Sequence, residues 1–105
     1  NRMLQDTVAY AGARGGFIVD ASGLPVALLA VPAELDVERL GSRLALAFDQ
    51  VDRMADQPCR HFSLSLGPWT LTGIRLAPVE EGPLMVGLLS EGPLPLDRLD
   101  RLASS

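Results

Sequence analysis

Apolar residues recur with two different periods along the chain, and each change of period marks a new element. Between residues 36 and 56 they recur every three to four positions, which predicts a long helix. Asp36 is placed to cap the first turn of this helix, and Pro58 ends it. The apolar stripe lies within about 60 degrees of Val37 on a helical wheel. It consists of Val37, Leu40, Leu44, Phe48, Val51 and Ala55.

Two shorter helices are predicted near the ends of the sequence, at residues 3–13 and 96–103. The first presents Leu4, Val8 and Ala11 on one side. A glycine pair follows it and interrupts the helical spacing, so a different kind of element is expected next.

Alternation with period two and runs of β-branched residues predict five strands. Asp20 and Gly23 occupy the first and last positions of a tight turn between the first two strands. Gly67 supplies the positive φ of a second hairpin turn. The last strand is wholly apolar, so we expect it in the middle of the sheet. A polar loop is expected at residues 78–83. The five predicted strands span residues 17–19, 24–31, 60–66, 69–76 and 84–89.

The order of elements is therefore helix, two strands, long helix, three strands, helix. Two hairpins separated by a crossover helix predict an α+β fold, a three-layer sandwich around a five-stranded, mainly antiparallel sheet. We expect the long helix on one face of the sheet and the terminal helices on the other. A length of 105 residues is enough for one domain and too short for two.

Composition narrows the classes of function. Hydrophobic residues make up 48% and charged residues 21% of the chain, which excludes a disordered protein. The net charge is -4, and the nine basic residues are scattered arginines, so nucleic acid is not an expected partner. No apolar run approaches the roughly 20 residues that cross a bilayer, and no signal peptide is recognisable. With a single cysteine, these features predict a cytoplasmic protein without membrane insertion. The absence of lysine and the abundance of alanine and leucine indicate a bacterial source.

Residues that could carry catalysis are few and poorly placed for it. Cys59 and His61 lack a third group spaced to orient the imidazole, so they are interpreted as a small buried thiol and a surface imidazole. Asp49, Asp52 and Asp56 are neighbours on the long helix, but hard cations take six or more oxygens from several segments. A solvated face is the preferred interpretation. No catalytic, metal or cofactor site is predicted, and we do not expect an enzyme.

Apolar side chains at positions expected to be exposed indicate a contact surface instead. Leu46 lies opposite the apolar stripe, and Ala47 and Met54 lie at its margin. The strand at 60–66 is expected at an edge of the sheet, with neither proline nor lysine to block pairing. Because the two segments are consecutive, they can form one self-complementary patch. An ordinary monomer with one stray leucine is the alternative. The predicted interface consists of Leu46, Ala47, Met54, Arg60, Phe62, Ser63, Leu64 and Ser65.

The first hairpin, "VDASGLPVA", the second, "LSLGPWTLTGIRL", and the following "LMVGLLS" resemble the roadblock family of dynein light chains and their bacterial relatives. The resemblance covers nearly the whole chain. It implies a non-catalytic homodimer in which long helices pack together and edge strands pair into one sheet, here residues 37–55 and 60–66. In bacteria such domains accompany small Ras-like GTPases as activator components or scaffolds, which makes such a GTPase the expected partner.

Profilin-like sensor folds share hairpins of this kind, so a sensory module of the PAS or GAF type is the rival interpretation. It predicts a cavity of several hundred cubic ångströms between sheet and helix that holds a small ligand. The candidate polar groups for such a ligand are Thr70, Thr72 and Arg75.

Overall fold

The computed structural model describes residues 1–76 and 84–104, and the loop predicted at 78–83 lies outside them. Within the described residues, three helices and five strands follow one another in the predicted order. They are α1 Arg2–Ala11, β1 Gly15–Val19, β2 Pro25–Leu29, α2 Val37–Ala55, β3 His61–Leu66, β4 Trp69–Arg75, β5 Met85–Ser90 and α3 Leu96–Ser104.

Local signals set the ends of these elements. α1 ends at Gly12, which adopts a left-handed conformation with φ 80°. α2 begins after Asp36, whose side chain accepts a hydrogen bond from the N–H of Arg39 at 3.2 Å, as the capping prediction required. β2 ends before Ala30, which has a φ of 50°. The hairpin between β3 and β4 turns at Gly67, with the predicted positive φ of 62°.

The sheet has the strand order β2-β1-β5-β4-β3, and every neighbouring pair is antiparallel. β5 lies in the centre, with all six of its residues buried, which confirms the prediction from its apolar run. The sheet separates two cores. Leu4 and Leu99, from α1 and α3, pack in one core, and Leu44 and Phe48, from α2, pack in the other. The predicted three-layer sandwich is therefore confirmed.

A single row of residues crosses the sheet beneath α2 and explains how the helix sits close to it. Gly73 lies under the rings of this face, because a Cβ there would stand 2.7 Å from Cδ1 of Leu44 and 2.9 Å from the Phe62 ring. Gly87 lies directly under the ring of Phe17 in the same way. The two glycines make room for aromatic rings and for the helix. In order across the strands, the row is Leu28, Phe17, Gly87, Gly73 and Phe62.

The turn between β1 and β2 supports α2 directly. The carboxylate of Asp20 accepts hydrogen bonds from the N–H of Ser22 at 2.9 Å and of Leu24 at 3.0 Å, which holds the predicted turn. Gly23 then adopts φ 91° and lies against Gly41, one of the buried residues of α2. The first hairpin therefore serves as a support for the long helix.

Two residues on the apolar sides of their elements are exposed. Leu64 of β3 is 44% exposed, and Ala55 at the end of α2 is exposed as well. The backbone of α2 runs over β1, β2 and β5, so β3 extends beyond the cover that the helix provides. Alternation along a strand predicts which residues share a face, but the position of the covering helix decides how deeply each is buried.

Candidate interaction surface

The two edges of the sheet differ in their readiness to pair with another strand. β2, at one edge, begins with Pro25 and is followed by Ala30 with its positive φ. Its register with β1 shifts between Ile18 and Val19. Proline, a bulge and an irregular end are all features that protect an edge from pairing. β2 is therefore a guarded edge.

The opposite edge, formed by β3, is regular and open. Its register with β4 is unbroken from His61↔Ile74 to Leu66↔Trp69. No residue in the described part of the chain pairs with its outer side. The prediction that this strand lies at an edge of the sheet is confirmed.

The direction of the backbone groups of β3 follows from one hydrogen bond. The N–H of Arg75 donates to the carbonyl oxygen of Arg60 at 3.0 Å, which makes these two residues a hydrogen-bonded pair. In an antiparallel ladder such pairs alternate with pairs that are not hydrogen-bonded. Every second residue of β3 therefore directs its N–H away from the sheet. These outward N–H groups belong to His61, Ser63 and Ser65.

A cleft of about 300 Å³ lies between α2 and β3. Its floor and walls are largely apolar, and two arginines of α2 border it. The cleft exists because β3 extends beyond the helix, which leaves the helix flank and the strand facing each other across open space. We call it the α2–β3 groove, and its lining consists of Arg39, Leu40, Arg43, Leu44, Leu64, Leu66 and Leu71.

The apolar helix margin that the sequence predicted is exposed. Met54 is 83% exposed and Leu46 is 58% exposed, while Ala47 is half-buried. Ala47 and Met54 follow Leu40 at intervals of seven residues, so all three lie on the flank of α2 that borders the groove. Leu46 points away from the sheet and does not line the groove. The structure therefore brings Ala47 and Met54 towards β3 and leaves Leu46 apart.

The predicted interface residues of β3 divide between the two faces of the strand. Phe62 faces α2, and its ring meets that of Phe48 edge-on, with 4.7 Å between the centroids. Leu64 faces the same way. The hydroxyl of Ser63 contacts Oγ1 of Thr72 at 3.1 Å on the other face, where Ser65 also points. Arg60 is exposed and precedes the strand.

A partly buried ion pair fixes the start of β3 against α2. The carboxylate of Asp52 lies 2.9 Å from the guanidinium of Arg75 and accepts the N–H of Cys59 at 2.6 Å. The hydrogen bond from Arg75, followed by that from Cys59, lowers the pKa of the Asp52 carboxyl. The same guanidinium lies 4.6 Å from the centroid of the Phe48 ring. The interpretation of Asp52 as part of a solvated face was wrong, because its partner is distant in sequence.

Cys59 and His61 do not form a pair of side chains. The thiol donates to the backbone carbonyl of His61 at 3.3 Å, and burial raises the pKa of the thiol. Nε2 of His61 lies 2.8 Å from a carboxylate oxygen of Asp100 on α3. The imidazole was expected at the surface, but it is half-buried because α3 packs beside β3. In residues 1–76 and 84–104, no group of three or more histidine, cysteine, aspartate or glutamate residues is arranged to hold a metal ion.

The polar groups expected of a sensory pocket do not converge. Thr72 is fully buried and, like Thr70, faces the α1 and α3 side of the sheet. Arg75 lies on the α2 side, where it pairs with Asp52. A small ligand held between sheet and α2 would therefore meet only one of the three groups. Of the helices in the described residues, none is both long enough and apolar enough to cross a bilayer.

Comparison with known proteins identifies the architecture. No protein-family model matches the sequence, and no curated protein matches it. The gliding protein MglB from Thermus thermophilus superposes with a TM-score of 0.71 over 98% of this chain and 78% of that chain, at 15% identity. Myxococcus xanthus MglB gives a TM-score of 0.73 over 99% of this chain and 88% of that chain, at 13% identity. The chain has the roadblock-type fold. The resemblance that the hairpin motifs predicted is confirmed for the fold.

Two further structures with the roadblock-type fold extend the comparison. The Roadblock/LC7 domain from Streptomyces avermitilis gives a TM-score of 0.67 over 98% of this chain and 90% of that chain, at 10% identity. Another structure, described as MglB with a tetrameric arrangement, gives 0.69 over 98% of this chain and 78% of that chain, at 16% identity.

Proposed function

We propose that this protein is a non-catalytic, homodimeric scaffold or regulatory module of the cytoplasm, and that a small Ras-like GTPase or a related signalling complex is its partner. One observation carries the proposal: the open edge of β3 lies beside the exposed apolar flank of α2, with the α2–β3 groove between them. Surfaces of this kind are stable in water when a partner covers them.

A second copy of the same chain is the partner that the edge favours. Outward N–H groups alternate along β3, so an antiparallel copy of β3 can satisfy them and extend the sheet. The regular edge contrasts with the guarded edge at β2, which supports pairing on one side only. The tetrameric arrangement of an MglB with the same fold also supports self-association.

The GTPase partner is inferred from the roadblock-type fold together with the family resemblance. Domains of this family act as platforms beside small Ras-like GTPases in bacteria, and the fold matches two MglB proteins over nearly the whole chain. Cys59 directs its thiol to a backbone carbonyl, and Asp52 is committed to an ion pair. The residues that first drew attention as catalytic candidates thus serve the fold, which favours a regulator over an enzyme.

Paired substitutions at the two edges of the sheet test the homodimer. Leu64 and Leu28 are exposed leucines on the α2 face, 44% and 55% exposed, at the β3 and β2 edges respectively. Leu64→Asp is expected to make the protein monomeric in sedimentation equilibrium, because it places a charge in the covered surface. Leu28→Asp is the matched control and should remain dimeric. A monomeric wild type at micromolar concentration, or dissociation by Leu28→Asp alone, would refute the proposed interface.

The GTPase partner requires a separate test. Purified Ras-like GTPases of the source bacterium, loaded with GDP or with a GTP analogue, are titrated against the wild-type protein in calorimetry. Saturable binding of one of them, dependent on the nucleotide, is the expected result. If none binds in either nucleotide state, a Ras-like GTPase is not the partner. The homodimer is tested separately, by the sedimentation experiment.

A further inference from the structure

We infer that the two copies of the proposed homodimer interlock through Met54, which fills the α2–β3 groove of the other copy, about a two-fold axis that passes Ala47. The inference rests on the proposed homodimer and deepens it, because it states the register of the two copies and the side chain that holds them. The projecting Met54 side chain and the α2–β3 groove belong to the same chain. Each copy therefore supplies one methionine and one groove.

The projection and the groove lie at opposite ends of one helix flank. Leu40 lines the groove, and Met54 lies 14 residues further along α2 on the same side, about 21 Å away at 1.5 Å per residue. Ala47 is halfway between them. When two such helices pack antiparallel about an axis at Ala47, Met54 of each copy faces Leu40 of the other. A single two-fold operation therefore places the Met54 side chain of each copy in the groove of the other copy.

The chemistry of the projection suits the groove. Met54 is 83% exposed, which is high for a large apolar side chain, and the groove is lined by leucines with a volume of about 300 Å³. A methionine side chain is flexible and polarisable, and it fills irregular apolar spaces without strain. The stems of Arg39 and Arg43 border the groove and can cover the inserted side chain while their charges stay in water.

The strand edge indicates the same axis independently. The outward N–H groups belong to His61, Ser63 and Ser65, and they are spaced symmetrically about Ser63. If Ser63 of one copy faces Ser63 of the other, His61 faces Ser65, and all three groups of each copy are satisfied. The neighbouring Phe62 contacts Phe48, the residue that follows Ala47. Ser63, at the centre of the strand, and Ala47, at the centre of the helix flank, therefore lie at the same position along the length of α2. One two-fold axis can relate both the paired strands and the paired helices.

The size of the contact is near the lower limit for a specific interface. The helix flank is about 21 Å long and about 10 Å wide, and the six residues of β3 add an edge of about 20 Å. Together they give on the order of 400 Å² of flat contact per copy. Side-chain relief raises this towards the roughly 500 Å² per partner that a specific interface needs. Ala47 at the centre is small, which allows helix axes to approach to about 8 to 10 Å.

A cysteine at the axis can form a disulfide only with its own copy in the partner, which makes Ala47→Cys a direct test. The experiment uses the full chain with Cys59→Ser to remove the native thiol. At helix spacings of about 9 to 10 Å, with each Cα about 2.3 Å from its helix axis, facing Cα atoms lie about 4.4 to 5.4 Å apart, within the range of about 4.4 to 6.8 Å that a disulfide spans. Ala47→Cys should become covalently dimeric under mild oxidation. Leu46→Cys, which is more exposed but points away, is the matched control and should not. Equal or faster linkage through Leu46→Cys would overturn the register.

Truncation of the projection gives a second, reversible measurement. Each dimer buries two copies of Met54, so Met54→Ala should weaken dimerisation by roughly 100-fold, whereas Leu46→Ala should leave it unchanged. Circular dichroism should show that both variants are folded, because both side chains are exposed. If the wild type is dimeric but neither Met54→Ala nor Ala47→Cys behaves as stated, the interlock is wrong and the homodimer stands. If the wild type is monomeric, the proposed homodimer itself fails.

Discussion

Gly41 of α2 lies against the carbonyl oxygen of Gly23, so that a Cβ atom on Gly41 would stand 2.5 Å from that oxygen. The contact joins the long helix to the turn of the first hairpin without any side chain between them. This contact sets the height of α2 above the sheet near the start of the helix. Gly73, which lies against Leu44 and the ring of Phe62, sets the height further along the helix. The position of the flank that borders β3 depends on both contacts.

Gly41→Ala tests this close contact. Alanine favours a helix interior over glycine by about 1 kcal/mol, so the substitution would stabilise an unconstrained helix. Here we expect it to lower the free energy of unfolding by about 1 to 3 kcal/mol, because the helix must move away from the turn. Urea denaturation measures the change. Ser42→Ala, at the next and exposed position, should have no such cost. Equal stability of the two variants would show that the contact is loose.

The ion pair between Asp52 and Arg75 predicts a dependence of stability on acid. The pKa of Asp52 is lower in the folded protein than in the unfolded chain, chiefly because Arg75 hydrogen-bonds the carboxylate. The pair therefore contributes its full stability above the unfolded pKa of about 3.9, and the contribution is lost as pH falls through the folded pKa. Asp52→Asn should reduce stability at pH 7 and flatten the acid dependence below about pH 4.

Thermal unfolding across this range of pH measures the effect of Asp52. Asp49→Asn is a useful comparison, because its pair with Arg53 is exposed to solvent on the same helix and should contribute little. An Asp52→Asn variant with the acid profile of the wild type would contradict the role given to the pair.

Proline at Ser65 tests whether the outward N–H groups of β3 take part in pairing. Ser65→Pro removes an N–H that points away from β4, so the internal ladder of the sheet is kept. We expect dimerisation to weaken about ten-fold or more, since two hydrogen bonds are lost per dimer. Ser65→Ala retains the N–H and should associate like the wild type. Sedimentation equilibrium distinguishes the two, and equal association of both variants would remove the strand from the interface.

The thiol of Cys59 should react slowly with alkylating reagents. Burial raises its pKa, so at neutral pH the thiolate that reacts is scarcer than in an exposed cysteine. Mass spectrometry after treatment with iodoacetamide should show slower labelling of the native protein than of the urea-unfolded chain. The rate in the native protein should rise with pH. Labelling at the rate of the unfolded chain would mean that the thiol is accessible and unperturbed.

The elements of this fold follow from signals that act over a few residues. The bounds of α2, Val37–Ala55, agree with those predicted from apolar spacing, because a capping aspartate and the repeat of 3.6 residues are local properties. The tight turns at Gly23 and Gly67 were predicted from local turn chemistry in the same way. The central place of β5 followed from its apolar run, because a strand covered on both faces needs no polar side.

What only the tertiary structure decided is how distant segments meet. The spacing of residues along α2 could not predict the ion-pair partner of Asp52, because that partner, Arg75, lies on another element 23 residues away. Glycines inside β4 and β5 are signs of close backbone approach, but the ring that each accommodates depends on register. The α2–β3 groove likewise exists because the backbone of the helix covers β1, β2 and β5 and leaves Leu64 of β3 uncovered. Periodicity determines which side of an element is apolar, whereas packing between elements determines which apolar residues remain exposed to meet a partner.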